Sequence, residues 1–168
     1  MPAENTINMG AVTTRLRTLS QVMELNIMIV DDDELVRTLI GDRLESRGMM
    51  VSYAADGAAA LALLEKQPLP VVLVDWQMPV MDGIEFTEAL RARGMVDTYL
   101  IMLTTRDNSI DYERGYRAGV DDYLTKRVTD QDMLARIHAG FATFKLRRAL
   151  RETQIALAEA TRGKADAA

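Results

Sequence analysis

The sequence predicts a doubly wound α/β fold, a parallel sheet of five strands with helices on both faces, followed by a long C-terminal α-helix. Two observations carry this reading. Short apolar runs rich in β-branched residues alternate with longer stretches of helical periodicity, and repeated β-α order implies a parallel sheet with right-handed crossovers. The runs Ile27–Val30 and Val71–Val74 are apolar without interruption, as strands buried on both faces are, and each ends directly in an aspartate, Asp31 and Asp75. Parallel strands deliver both carboxylates to one edge of the sheet, where ligands of such folds bind.

Further strands are expected at Met49–Tyr53, Tyr99–Leu103 and Asp122–Leu124. In the first helix Leu35, Leu39 and Leu44, with Val36 and Ile40, form an apolar stripe that stops at Gly48. The second helix is expected over Gly57–Lys66, the third over Gly83–Arg93 and the fourth over Asn108–Ala118, the last two ending near Gly94 and Gly119. Glycine just past a helix accepts the left-handed conformation that closes its last turn. The fifth helix begins near Thr129, where Thr129 and Asp132 have the spacing of a capping box. Its Leu134, Ile137, Phe141 and Phe144 make a seam that should pack on the sheet. Ahead of the first strand, Met1–Gly10 reads as a disordered tail, and Val12, Leu16, Leu19 and Met23 are spaced for a short amphipathic helix. The expected division is a tail over residues 1–24, a main domain over 25–146 and a helical extension with a frayed end over 147–168.

Composition narrows the function. A chain of 168 residues with 48% hydrophobic and 27% charged residues can bury one substantial core, and its net charge of -5 gives no basic field for nucleic acid. There is no cysteine, so a metal must be held by oxygen or by His138. His138 lies far in sequence from the acidic residues and is assigned no chemistry, and the methionines read as core filler. Arg15, Arg17 and Glu24 interrupt any leader-like apolar run and no stretch approaches bilayer-spanning length, so a soluble, cytoplasmic protein is expected.

Neighbouring carboxylates at a strand end, such as Asp31 and Asp32, can share a hard divalent cation, and oxygen ligands suit magnesium. Asp75 adds a third carboxylate, followed by Trp76-Gln77-Met78-Pro79 and Met81-Asp82-Gly83, a turn-rich loop opening a helix. The fourth strand ends in Thr104-Thr105, a source of hydroxyl, and the fifth is followed by Lys126, a point charge that suits phosphate. Asp33, Asp82, Asp121 and Asp122 read as caps and turn residues, and Trp76 as part of the rim.

These residues together resemble the response regulator receiver domain of two-component signalling, over roughly Asn26–Leu146. The resemblance lies in Ile29-Val30-Asp31-Asp32 with Arg37 five residues on, Val74-Asp75 with Met78-Pro79 and Met81-Asp82-Gly83, Thr104, and Tyr123 three before Lys126. It implies a flavodoxin-like strand order 2-1-3-4-5 and a phosphorylation-dependent switch. Asp75 would be the phosphoacceptor. Asp31, Asp32, Asp75 and the backbone carbonyl of Gln77 would hold Mg2+, Thr104 and Lys126 would contact the phosphoryl oxygens, and Tyr123 would change its packing. The donor would be a histidine kinase or histidine phosphotransfer protein, since the chain offers no nucleotide-binding loop.

One departure concerns the lysine: Arg127 follows Lys126 where the family usually has proline in a cis bond, and a non-proline cis bond costs about 2.5–4 kcal/mol, so a trans bond is expected. Two rival functions remain. Aspartate-nucleophile phosphatases of the haloacid dehalogenase type share Asp, Thr, Lys and magnesium, but their DxDx[TV] signature is absent at Asp75-Trp76-Gln77 and at Asp31-Asp32-Asp33-Glu34-Leu35. A receiver-like scaffold that is never phosphorylated would normally have lost one of these residues. Beyond residue 146 too little chain follows for a DNA-binding or catalytic output module, so output by protein contact is expected. In the extension Ala142, Leu146, Ala149, Thr153, Ala156 and Ala160, flanked by Leu150 and Leu157, form a second stripe, while Arg148 and Arg151 continue the first. An exposed stripe on a helix this short favours pairing with a second copy over folding back or a frayed helix with solvated basic residues, so a homodimer is expected.

Overall fold

A computed structural model describes residues 25–105 and 109–165; the expected tail and its short helix lie outside the described residues. The strands are β1 (Asn26–Val30), β2 (Met50–Ala54), β3 (Val71–Asp75), β4 (Tyr99–Thr104) and β5 (Asp122–Thr125). The helices are α1 (Glu34–Glu45), α2 (Gly57–Lys66), α3 (Gly83–Ala92), α4 (Ser109–Ala118) and α5 (Asp130–Ala165). All strand pairings are parallel, in the order β2-β1-β3-β4-β5. The parallel direction follows from the alternation of elements, because a helix returning over the sheet brings each new strand back in the same direction.

Strand pleating sorts the core into two layers. Ile27, Ile29, Val71, Leu73, Ile101, Leu103 and Leu124 face α1 and α5, where Ile40, Leu44, Met133, Ile137 and Phe141 meet them. Met28, Val30, Val72, Val74, Leu100 and Met102 face α2, α3 and α4, against Ala60, Leu64, Ile84, Phe86 and Leu90. Since β1, β3 and β4 are covered on both sides, the residues between their ends have to be apolar, which explains the uninterrupted runs, while polar residues fall at the ends, Asn26, Asp75 and Thr104.

Helix ends follow their caps. Asp33 accepts from the amides of Leu35 and Val36, Asp56 from that of Ala59, and Asp82 and Glu85 form a reciprocal box. Thr129 Oγ1 accepts from Asp132 N at 3.2 Å and opens α5. Gly48, Gly94 and Gly119 all take positive φ after α1, α3 and α4. At Gly94 this lets Met95 N reach back to Leu90 O, closing the helix.

Three expectations need correction. Leu35 and Leu39 do not join the α1 stripe: they are 66% and 55% exposed, and the buried face runs through Val36, Ile40 and Leu44. With five apolar residues among the first eleven, both flanks of the helix looked apolar, and only the sheet decides between them. Asp121 and Asp122 are not turn residues but ion-pair partners. Asp121 binds Arg91 and Arg147, and Asp122 binds Arg136. The second strand is shifted by one residue from its expected bounds, with Met49 buried just ahead of it.

Helix α5 is continuous over 36 residues. Ile137 and Phe141 are buried as expected, with Met133 beside them. Past Phe144 the helix is tied to the body by charge: Arg147 to Asp121, and Arg151 to Asp97 at 3.2 Å. These ties extend five residues beyond the boundary expected at 146. No helix among the described residues is long and apolar enough to cross a membrane.

Candidate functional site

The carboxyl ends of β1, β3, β4 and β5 converge on a cleft of about 270 Å3 lined by Asp31, Asp32, Asp33, Asp75, Trp76, Gln77, Thr104, Thr105 and Lys126. Asp31 is fully buried and Asp75 nearly so, while Asp32 is exposed. One oxygen from each of the three carboxylates lies within 4.8 Å of the others. Asp31 is locked in place: its Oδ1 accepts from Asp33 N at 3.0 Å and its carbonyl from Arg37 Nη1 at 2.5 Å. Arg37 thus fixes the strand end.

Lys126 Nζ bridges the two buried acids, 2.7 Å from Asp31 Oδ2 and 3.0 Å from Asp75 Oδ1. Burial works against its charge, but hydrogen bonds to both carboxylates outweigh that, and its pKa lies above the ordinary lysine value. Asp75 is held above the ordinary aspartate value, first by burial and then by the neighbouring Asp31, with Lys126 opposing both. A group of acids this close calls for more positive charge than one ammonium supplies. No peptide bond among the described residues is cis, so the Lys126–Arg127 bond is trans as expected, and Lys126 N donates to Thr104 O at 3.0 Å. The lysine therefore reaches the acids without a proline to shape its loop.

The loop from Asp75 to α3 is tightly determined. Gly83 N donates to Trp76 O at 2.9 Å, and a Cβ on Gly83 would lie 2.4 Å from the Asp75 carbonyl, so only glycine fits. Met81 N donates to Pro79 O at 2.8 Å, closing a γ-turn around Val80. Val80 has φ 71° and is fully exposed.

The expected site residues Asp31, Asp32, Asp75, Gln77, Thr104 and Lys126 all line this cleft. Tyr123 does not. It lies behind it, half-buried, in an aromatic group: its ring stacks on Trp76 at 6.1 Å and meets Tyr112 and Tyr116 edge-on at 4.6 and 5.0 Å. Its hydroxyl donates to the Tyr112 carbonyl at 3.1 Å. Sequence reasoning missed this group and the notch that admits it. The signal was Gly115, a glycine inside a helix between two tyrosines, which marks a close approach. A Cβ there would overlap the Tyr123 hydroxyl. Gly115→Ala should therefore push the Tyr123 ring outward and cost about 1–3 kcal/mol. Thermal melts with tyrosine side-chain NMR would show it, and an unmoved Tyr123 resonance would contradict the account.

Comparison with known proteins agrees with this geometry. The family model described as response regulator receiver domain matches residues 27–138, and the chain belongs to that family. Among curated proteins, the sensory transduction protein RegX3 of Mycolicibacterium smegmatis is 36% identical over 114 residues, 68% of this chain and 49% of its own length. The chain spans about half the length of the curated relatives it matches. Among solved structures, the chemotaxis protein CheY4 of Vibrio cholerae matches with TM-score 0.65 and 31% identity, covering 68% of this chain and 96% of that one. The receiver domain of sensor histidine kinase PA1611 from Pseudomonas aeruginosa, solved with a magnesium ion coordinated in its active site cleft, matches with TM-score 0.65 and 29% identity. It covers 70% of this chain and 98% of its own. The chain is thus a response regulator receiver of two-component signalling.

Proposed function

We propose that this receiver is switched by phosphorylation of Asp75, with Mg2+ as cofactor and a histidine kinase or histidine phosphotransfer protein as donor. The observation that carries it is the bridging of buried Asp31 and Asp75 by Lys126 beside an exposed Asp32. Donor chemistry fits a hard cation, since three of the four carboxylates lining the cleft lie together and its described lining residues include no imidazole or sulfur ligand. Asp31, Asp32, Asp75 and the carbonyl of Gln77 would hold magnesium, as the PA1611 receiver holds one in its cleft. When bound, it supplies the positive charge that lets two anions meet.

The remaining steps belong to the chain. An Asp75 oxygen attacks the phosphorus of a phosphoimidazole, the P–N bond breaks, and the imidazole leaves as the acyl phosphate forms. Lys126, displaced from Asp75, follows the phosphoryl oxygens as a point charge, and the Thr104 hydroxyl donates to them. The test is incubation of the full chain with acetyl phosphate and magnesium, read by intact mass. One added phosphoryl group on the wild type is expected; none, with a cognate kinase also failing, would favour the unphosphorylated scaffold. Turnover of a free phosphate ester would instead revive the phosphatase reading.

We further propose that the α5 extension, residues 147–165, pairs with a second copy. The supporting stripe is centred one position from that expected: Leu146, Leu150 and Leu157 are 71%, 60% and 65% exposed and, with Thr153, repeat at four-three-four spacing. In a parallel pair the flanking positions are Arg147, Ala149, Gln154 and Ala156. Arg147 is held by Asp121, so no like charges face each other beside the seam. Light scattering should give a dimer mass for the full chain and a monomer after truncation near Leu146. A monomer in both, with and without phosphodonor, would refute pairing.

A further inference from the structure

Strand β5 is short, lies at the edge of the sheet, and is fastened to different parts of the protein at its two ends. At its upper end Lys126 bridges Asp31 and Asp75 in the cleft. Just below its lower end, Asp121 N donates to Leu100 O at 3.0 Å, and Asp121 Oδ2 accepts from Leu100 N and from Arg91 Nη2, both at 2.8 Å. Its other oxygen accepts from Arg147 of α5. Asp122 takes Arg136, one α5 segment earlier, with both oxygens at 2.7 and 2.8 Å. Two consecutive acids thus staple α5 to β5 at two heights, and Arg147 lies where the helix leaves the body.

Asp121 does not stand alone in the body. Arg91 is half-buried and spends its remaining donors on the carbonyls of Gly119, Met95 and Thr98 at 2.7–3.1 Å, so it ties together the loops before β4 and β5. Arg147 also lies over the Tyr99 ring, 5.8 Å from its centre. A cation paired with a carboxylate and shielded on one face by an aromatic ring is held more firmly than an exposed ion pair. The next tie, Arg151 to Asp97, falls on the neighbouring loop. Four residues of extended chain span roughly 13 Å, so β5, paired along its length with β4, is a short link of fixed length between the two ends.

We infer that Asp121 is a positioning residue that transmits the state of the cleft to the α5 extension: β5 links Lys126 to the staple that aims the helix. The inference rests on the proposed phosphorylation of Asp75, but its first arm does not need it. Because the chain has no cysteine, Lys66→Cys on the body and Glu159→Cys on the extension can carry nitroxide labels in the full chain. Dilution in excess unlabelled chain isolates the distance within one copy.

Without phosphodonor, Asp121→Asn and the more peripheral Arg147→Gln should each broaden the distance distribution about twofold, and Arg147→Lys should largely restore it. With acetyl phosphate and magnesium, the distribution of the otherwise wild-type chain should shift. In Asp121→Asn it should not, although Asp75 is labelled at a rate within about twofold of wild type. Distributions in both variants as narrow as wild type would overturn the staple. A labelled wild type whose distance does not change, or an Asp121→Asn chain that shifts like wild type, would overturn the transmission. A wild type that takes no phosphoryl group sinks the phosphoacceptor reading instead, and the first arm still decides whether Asp121 aims the helix.

Discussion

Asp75→Asn is expected to take up no phosphoryl group from acetyl phosphate and magnesium, and to melt above the wild type when magnesium is absent. The first outcome follows from chemistry, since an amide oxygen carries no charge with which to attack phosphorus. The second follows from the electrostatics of the cleft. Burial and the adjacent Asp31 raise the folded-state pKa of Asp75 above its unfolded value, so the native state binds more protons than the unfolded one between those two values. Stability is present below the unfolded pKa and falls as pH rises through the folded one, leaving a penalty at neutral pH that asparagine removes. A gain on the order of 1 kcal/mol would raise Tm by roughly 2–4 °C in a domain of this size. Intact mass and thermal melts across a pH range of roughly 3 to 8 check both. A fully labelled variant would move the phosphoacceptor elsewhere.

Lys126→Ala is expected to stay folded and to lose labelling rate by on the order of 100-fold, the cost of removing one preorganised positive group from a phosphoryl site. Among the described residues that line the cleft, Lys126 is the only cation. Without it Asp31 and Asp75 face each other unbridged, so the Asp75 pKa should climb further and its nucleophilic form become scarcer. The sign is opposite for the lysine itself. Hydrogen bonds to both acids outweigh burial and raise its pKa, so its contribution to stability is full below the unfolded value of 10.5 and is lost as pH rises through the folded one. Neutral-pH assays therefore see a charged lysine throughout. Stopped-flow labelling with acetyl phosphate gives the rate, and an unchanged rate would mean that exposed Arg127 has taken over the cationic role.

Much of the sheet and the cleft was legible because both depend on local signals that the fold does not override. Continuous apolar runs ending in Asp31 and Asp75 mark strands covered on two faces, and Gly48, Gly94 and Gly119 mark helix ends that need positive φ. What stayed hidden was choice between equivalent faces and pairing across long separations. Nothing local distinguishes Leu35 from Val36 on a helix apolar on both flanks; the position of the sheet does. Likewise Asp121 precedes a strand and Asp122 opens it in a turn-like context, and their true partners are 26 to 30 residues away at Arg147 and Arg91, and 14 away at Arg136. The aromatic packing of Trp76 and Tyr123 brings together two strand ends and one helix, a contact no single window contains.

Val80 has a consequence for how the cleft is made ready. A β-branched residue in the left-handed region costs on the order of 1–2 kcal/mol, and its fully exposed side chain recovers none of that through burial. The cost is met elsewhere: Met81 packs into the core, Asp82 and Glu85 lock the start of α3, and Gly83 bonds back to Trp76. The wall that carries Gln77 is in effect bent in advance during folding. A cation or phosphoryl group arriving at the cleft then spends none of its binding free energy on bending it.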